Sequence, residues 1–464
     1  MAIPELPSLW AGVQLAPFGA GALWLQWGLV VGSSLLLFLF SPLAKNTQQF
    51  FRAVRHKKAP NAFVLMGSLV ISWIFAKSIT NAANLGLAFG LVGGVAYAGY
   101  YLSFVVAGVV IYQMRTKGGF KSIHHFLGQR FGTSAIALFS ILIAFRLFNE
   151  VWSNTMVIGS YFGDMGTASY YWAIMVFTGL TLAYALKGGL SSSIFTDVIQ
   201  MGLFAILLAV LLWIIFEPTN AFTAREAVFS GSWTFATGLN LLFAAILQSF
   251  SYPFHDPVLT DRGFISSPKT TLKAFLWAGL VGAVCIVLFS LIGVFAQSQG
   301  MVGQAAVEVA QAFGLVALLV INFIMITSAA STLDSTFSSF SKLLSVDLNL
   351  GNSLKFGRLA MIVVAVLGTV PVFLDAEILS ATTISGTMVI GLTPVFLFWR
   401  KEVPKISFHL SVGCGLVFGL LLVFQWFPES LIFTQGEHAD LLWVNGWGIL
   451  VCMGLYLVPL WIRK

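Results

Sequence analysis

Residues Ile71–Gly90 read ISWIFAKSITNAANLGLAFG. The run is apolar at both ends, yet Lys77 stands inside it, and Ser78, Thr80, Asn81 and Asn84 follow before Gly86 and Gly90. Short hydroxyl and amide side chains compete with the backbone for its own hydrogen bonds, so they weaken a continuous helix. The expectation is a membrane span with an interruption that begins near Ala76. Non-helical backbone at membrane depth is tolerated only where it is buried in protein or lines a cavity.

Composition places that run in a bilayer. The 464 residues are 58% hydrophobic and 9% charged, with mean hydropathy +0.92. A soluble domain carries about 25% charged residues, so this chain cannot cover a water-exposed surface. Soluble-enzyme, disordered, collagen-like and nucleic-acid-binding classes are excluded on that ground. The net charge of +7 is read as topology rather than as a phosphate-binding patch. Cys285, Cys414 and Cys452 lie in apolar stretches and imply no disulfide framework. No Lys or Arg precedes Lys45, so the first apolar run lacks the basic lead of a cleaved signal and is expected to be retained as a span.

A span needs about 20 mostly apolar residues, and thirteen stretches qualify: Leu23 to Phe40, Ala62 to Gly90, Gly94 to Met114, Thr133 to Phe162, Ser169 to Ala185, Ser191 to Phe216, Trp233 to Tyr252, Leu272 to Phe295, Ala306 to Phe340, Leu359 to Leu374, Ile378 to Trp399, Ile406 to Phe427 and Leu441 to Ile462. Short cytoplasmic loops accumulate Lys and Arg. With the N-terminus outside, the inner segments hold Lys45, Arg52, Arg55, Lys57 and Lys58, then Arg115, Lys117, Lys121 and Arg130, then Lys187, then Arg262 and Lys269. Lys342, Lys355 and Arg358 follow, then Arg400, Lys401 and Lys405, and Arg463 and Lys464 at the end, which makes 20 of the 24 basic residues. The chain is thus expected in the cell's inner (plasma) membrane, with its C-terminus cytoplasmic. No loop is long enough for a soluble catalytic domain, and no Walker or HExxH pattern occurs. An enzyme is not expected.

Four ionisable side chains fall at membrane depth, where they are costly and usually functional. They are Lys77, Arg146, Glu150 and Asp334, two of each sign, and they are expected to neutralise one another. A second interruption is expected in LQSFSYPFHDP (Leu247–Pro257), where Pro253 removes a backbone donor. Paired interruptions in two halves point to a transporter's binding site. Spans two to six and seven to eleven are five each. An odd number forces the two units into opposite orientations. The boundaries that follow are 1–60 for an extra helix and inner loop, 61–216 and 233–399 for the two units, 217–232 for the outer loop between them, and 400–464 for two final helices. In the ninth span, SAASTLDSTFSSFS (Ser328–Ser341) offers hydroxyls to a hard cation. Ser331 and Thr332, the Ser328 carbonyl and the carbonyls of Ala76 and Ile79 would give Na⁺ five uncharged oxygens.

The chain resembles the sodium:solute symporter family, whose members carry glucose, proline, pantothenate, sialic acid and monocarboxylates. Gly188–Gln200 (GGLSSSIFTDVIQ) resembles the family's GGL…TDxxQ segment, and Ser328–Leu348 resembles its eighth core helix. Phe254–Phe264 (FHDPVLTDRGF) and Lys121–Gly132 (KSIHHFLGQRFG) resemble the segment after its sixth core helix and an inner loop ending in RFG. The resemblance implies an all-α polytopic membrane protein with a LeuT-like five-plus-five inverted-repeat core and about thirteen transmembrane helices. It implies the same Na⁺ ligands, and a second Na⁺ site at Asp197, Ser331, Asp334 and Ser335. It also implies Na⁺-coupled symport of a small organic solute by alternating access. Ser78, Asn81, Tyr101, Asn149 and Tyr252 are expected to touch that solute, and Lys77 and Arg146 suit an amino acid or other carboxylate. Lys77 departs from the family pattern. It would suit a proton-coupled or uncoupled carrier in which the ammonium replaces sodium; a non-transporting solute sensor of the same fold is a further alternative. Partners are a small solute and the lipid bilayer, with no nucleic acid.

Overall fold

The computed structural model describes residues 19–53, 58–374 and 386–462. Its spans are α1 (Ala20–Phe40), the pair α2 (Ala62–Trp73) and α3 (Ala76–Phe89), α4 (Leu91–Lys117), α6 (Thr133–Ser160), α7 (Ala168–Gly188) and α8 (Leu190–Ile215). Between α4 and α6 lies the short helix α5 (Ile123–Phe131). There follow α9 (Leu239–Gln248), α10 (Pro257–Arg262), α11 (Pro268–Ser298), α12 (Leu315–Lys342), α13 (Leu354–Thr369), α14 (Lys405–Val423) and α15 (Ala439–Leu457). Ten helices are long and apolar enough to cross a membrane, and the bent pair α2/α3 makes an eleventh, among the described residues. Side chains such as Trp213 (71% exposed) and Leu280 (56%) stand on outer faces, where lipid rather than water would cover them. This is a multi-pass membrane protein.

Eleven of the thirteen expected stretches have such a counterpart. The seventh contracts to α9, ten residues long. Part of the eleventh, 378–385, lies outside the described residues, as do Arg55, Lys57, Arg463 and Lys464 of the expected inner segments.

Both interruptions exist, and the first is displaced from its expected place. Ile74 (φ −89°, ψ 67°) and Phe75 (φ −79°, ψ 162°) leave helical geometry, and α2 and α3 meet at a 66° bend. Ser78, Thr80, Asn81 and Asn84 are helical within α3. Their polar groups find partners compatible with helix: Thr80 donates to the Ala76 carbonyl at 3.2 Å, and Asn84 accepts from the Ala305 amide at 3.1 Å. The carbonyl set free is instead that of Trp73, which accepts from the Tyr101 hydroxyl at 3.2 Å and from Ser78 at 3.4 Å. Phe75 takes over as N-cap, its carbonyl accepting from the amides of Ser78 and Ile79.

At the second interruption α9 stops at Gln248, a 3₁₀ turn carries Tyr252, Pro253 and Phe254, and Asp256 caps α10, with Pro257 at its first position. Small residues then press the pieces together. A Cβ on Gly293 of α11 would collide with the Ala83 carbonyl of α3, so the two backbones approach as glycine-bearing membrane helices do. In the GGL segment Gly189 has φ +57°, and a Cβ there would stand 2.5 Å from the Phe50 carbonyl. The segment's glycines thus serve the turn between α7 and α8.

Candidate functional site

The two interruptions face one cavity of about 120 Å³. Such a volume is well below the roughly 300–1,000 Å³ of drug-sized pockets, so it fits a compact solute. Its walls combine aromatic residues (Trp73, Phe75, Tyr97, Tyr100, Tyr101 and Tyr252) with polar ones (Lys77, Ser78, Asn81, Glu150 and Gln248). Four of the five expected solute contacts, Ser78, Asn81, Tyr101 and Tyr252, therefore come together. Asn149 does not line the cavity. It is buried on α6, and its Oδ1 has no hydrogen-bond partner among the described residues.

The four charged groups expected to form one network fall in two separate clusters, which corrects that expectation. Beside the cavity, Arg146 donates to the Tyr252 hydroxyl at 2.8 Å and to Asp256 at 2.9 Å, and lies 3.3 Å from Glu150. Its guanidinium also covers the Tyr252 ring, 4.8 Å from the centroid. Asp256 accepts in addition from the Trp73 indole at 2.9 Å. Asp334 is absent from this group, and Asp256, unremarked in the sequence because it falls in a segment that reads as a loop, takes its place. Lys77, Arg146, Glu150 and Asp256 sum to zero. Arg146 spends its donors on protein partners, whereas no carboxylate lies within 4.0 Å of the Lys77 ammonium among the described residues. The Lys77 ammonium on the cavity wall thus makes no direct ion pair among the described residues.

The second cluster lies between α2, α8, α10 and α12 and is fully enclosed. Arg262 meets Asp197 at 2.8 Å, both side chains 0% exposed. Asp334 is served by hydroxyls instead, from Ser193 at 2.9 Å and Thr196 at 2.7 Å. The four residues of the expected second Na⁺ site, Asp197, Ser331, Asp334 and Ser335, do converge here, but around the guanidinium of Arg262. The positive-inside count had assigned Arg262 to a loop. Its RG sequence after a Pro-led turn gives no sign that the side chain turns inward.

The expected first Na⁺ site is only partly assembled. Thr332 borders a small void together with Ser72 and Phe75 at the interruption, and with Arg146, Glu150 and Asp256. Its hydroxyl donates to the Ser328 carbonyl at 3.0 Å, and the buried Ser328 hydroxyl has no partner among the described residues. Ser331, one position on, points elsewhere and donates to Asp197 at 2.6 Å. Ala76 and Ile79 lie inside α3, below the interruption that was expected to release their carbonyls.

A larger cavity, about 510 Å³, opens between α5, α10 and the end of α12. Lys342 bridges Asp261 at 2.6 Å and Asp347 at 3.0 Å across it, and His124 of α5 stands 3.9 Å from Asp347. Burial pushes the His124 imidazole below its usual value, against the pull of Asp347 and with help from Lys342. The folded state then binds a proton less readily than the unfolded chain, so stability held at neutral pH falls as the pH drops below about 6.5. His124→Gln should lessen the drop in melting temperature between about pH 7 and pH 5. Equal drops in the two proteins would remove His124 as the titrating group.

Comparison with known proteins bears on this geometry. No family model matches the chain. Over 151 residues it is 27% identical to mouse sodium/glucose cotransporter 1 and 28% identical to the sheep protein, an alignment that takes in 30% of this chain. The chain thus spans 23% of the length of those relatives. In structure it is similar to a Na⁺-coupled sialic acid symporter in its substrate-bound outward-open state, with TM-score 0.69 and 16% identity over 96% of this chain and 98% of that one. It is also similar to Mhp1, a nucleobase-cation-symport-1 transporter with bromovinylhydantoin bound, with TM-score 0.59 and 13% identity over 89% and 94% of the two chains. The fold is LeuT-like. The relatives are transporters, not enzymes, and they support the resemblance to sodium:solute symporters that the motifs carry.

Proposed function

We propose that the chain is a secondary active transporter that moves a small carboxylate-bearing solute together with Na⁺ by alternating access. One observation carries this reading above the rest: two interrupted helices meet at one compact cavity whose wall presents the Lys77 ammonium with no carboxylate within 4.0 Å among the described residues. A solute carboxylate would take Lys77, an ammonium on the same solute would face Glu150, and the tyrosines and Trp73 would cover its apolar part. Arg146 holds Tyr252 and Glu150 in position rather than binding the solute. The oxygens assigned to Na⁺ are the Thr332 hydroxyl and the Ser328 carbonyl, with Ala76, Ile79 and Ser331 completing the set. The Ser331 hydroxyl is engaged with Asp197 in this conformation. The positive-inside pattern supports an N-terminus outside and a cytoplasmic C-terminus in the plasma membrane.

In liposomes, uptake of a carboxylate solute should collapse when Na⁺ is replaced by choline. Uptake unchanged by that replacement and driven by a pH gradient would favour a proton-linked carrier with Lys77 as the titrating cation, and saturable binding without flux would favour a sensor. Thr332→Ala should raise the Na⁺ concentration needed for half-maximal uptake at least tenfold, because a lost hard-cation ligand leaves a buried charge under-coordinated by about 1.5–3 kcal/mol. An unaltered requirement at equal expression would remove Thr332 from the ion's ligands.

A further inference from the structure

The enclosed cluster holds a guanidinium that the proposed coupling does not use. Asp197 and Arg262 are wholly shielded from solvent. The Arg262 Nη2 donates to Asp197 at 2.8 Å, to the Ser335 hydroxyl at 2.9 Å and to the Ser193 hydroxyl at 3.4 Å. Its Nε donates to the Ser68 hydroxyl at 2.6 Å, and its Nη1 to the Val258 carbonyl at 2.8 Å. Every acceptor around the guanidinium is an oxygen, one of them a full carboxylate. That is the ligand chemistry a hard monovalent cation seeks. The side chain arrives from α10, the segment directly after the second interruption, so this cation is covalently tied to the element that turns at the binding cavity.

We propose that the Arg262 guanidinium is a built-in cation that fills a second sodium site, so that the carrier couples one sodium ion per solute and not two. This rests on the proposed Na⁺-coupled reading for its account of transport, while the cluster itself can be probed without any solute. With the guanidinium present, a free cation would meet a positive charge on the same oxygens. With it removed, Asp197 and Asp334 are left without their buried counter-charge, and the freed hydroxyls and carboxylate form an oxygen cage open to Na⁺.

The test uses the purified full chain in detergent, with NaCl raised a hundredfold at constant ionic strength against choline chloride. Unfolding temperature is the readout, since an ion that binds only the folded state stabilises it by mass action. Arg262→Ala is expected to unfold at a much lower temperature in choline and to recover several degrees more than the parent protein as Na⁺ rises. Arg262→Lys, which keeps a tethered charge, should respond to Na⁺ no more than the parent. Adding Asp197→Asn to Arg262→Ala should abolish the gained Na⁺ response. In liposomes the Hill coefficient for Na⁺ should rise from one in the parent toward two in Arg262→Ala. An Arg262→Ala protein that is rescued by Na⁺ no better than by choline, whether it folds in both salts or in neither, overturns the proposal. A parent protein whose uptake ignores Na⁺, beside an Arg262→Ala variant that gains Na⁺ stabilisation, would instead remove the coupled-transport reading and leave the built-in cation standing.

Discussion

Lys77→Met should weaken binding of the carboxylate solute by roughly 30-fold or more, leaving thermal stabilisation by Na⁺ unchanged. Methionine keeps the length and apolar stem of lysine, and removes only the ammonium that faces the cavity. Losing one partner of a desolvated charge pair costs about 2–5 kcal/mol, and each 1.4 kcal/mol is a factor of ten in affinity. Arg146 cannot take over, because Tyr252, Glu150 and Asp256 already hold its guanidinium. Isothermal titration of solute into the parent and the variant measures the effect. Equal dissociation constants, or a parent protein that binds the amide analogue as tightly as the acid, would dismiss Lys77 as the carboxylate's anchor.

Asp256→Ala should be the most destabilising single change around the cavity, by about 3–5 kcal/mol, since it removes one side of a buried charge pair. The substitution takes a 2.9 Å acceptor from Arg146 and another from the Trp73 indole, and strips the cap from α10. Glu150 remains, so the local balance shifts to a net positive charge rather than to a lone cation. Asp256→Asn should lose less, because it keeps an oxygen for the indole. Combining Asp256→Ala with Arg146→Met should restore more than half of the loss, as coupled neighbours do in a double-mutant cycle. Denaturant unfolding in detergent reports all three; additive losses in the double variant would show that the two residues act independently.

Much of this was readable beforehand, for physical reasons that differ by element. Spans were legible because bilayer thickness forces long apolar runs, and the second interruption because Pro253 cannot donate. The first was placed too far along the chain, since Trp73, Ile74 and Phe75 contain neither Gly nor Pro. That break is held by a tertiary bond from Tyr101, which no local pattern encodes, and by Ser78 bonding back across it. Ser78, Asn81, Tyr101 and Tyr252 could be grouped from their position near the two interruptions, and they share the cavity. The charge clusters could not be apportioned. Asp256 and Arg262 sit in a segment whose Pro and Gly read as loop, and only the folded path brings them against α2, α6 and α8. Adjacent residues on α12 face different ways by about 100°, as 3.6 residues per turn requires, and so Ser331 and Thr332 part company.

The zero sum of Lys77, Arg146, Glu150 and Asp256 has an electrical corollary. A membrane potential acts on moving charge with about 2.3 kcal/mol per elementary charge per 100 mV, and a neutral quartet that shifts as a unit feels almost none of that force. In the proposed cycle the solute-free carrier would therefore reorient these four groups at a rate nearly indifferent to voltage. The field would do its work on the incoming metal ion and on any net charge the solute carries, so voltage should bear on loading rather than on the movement of this quartet.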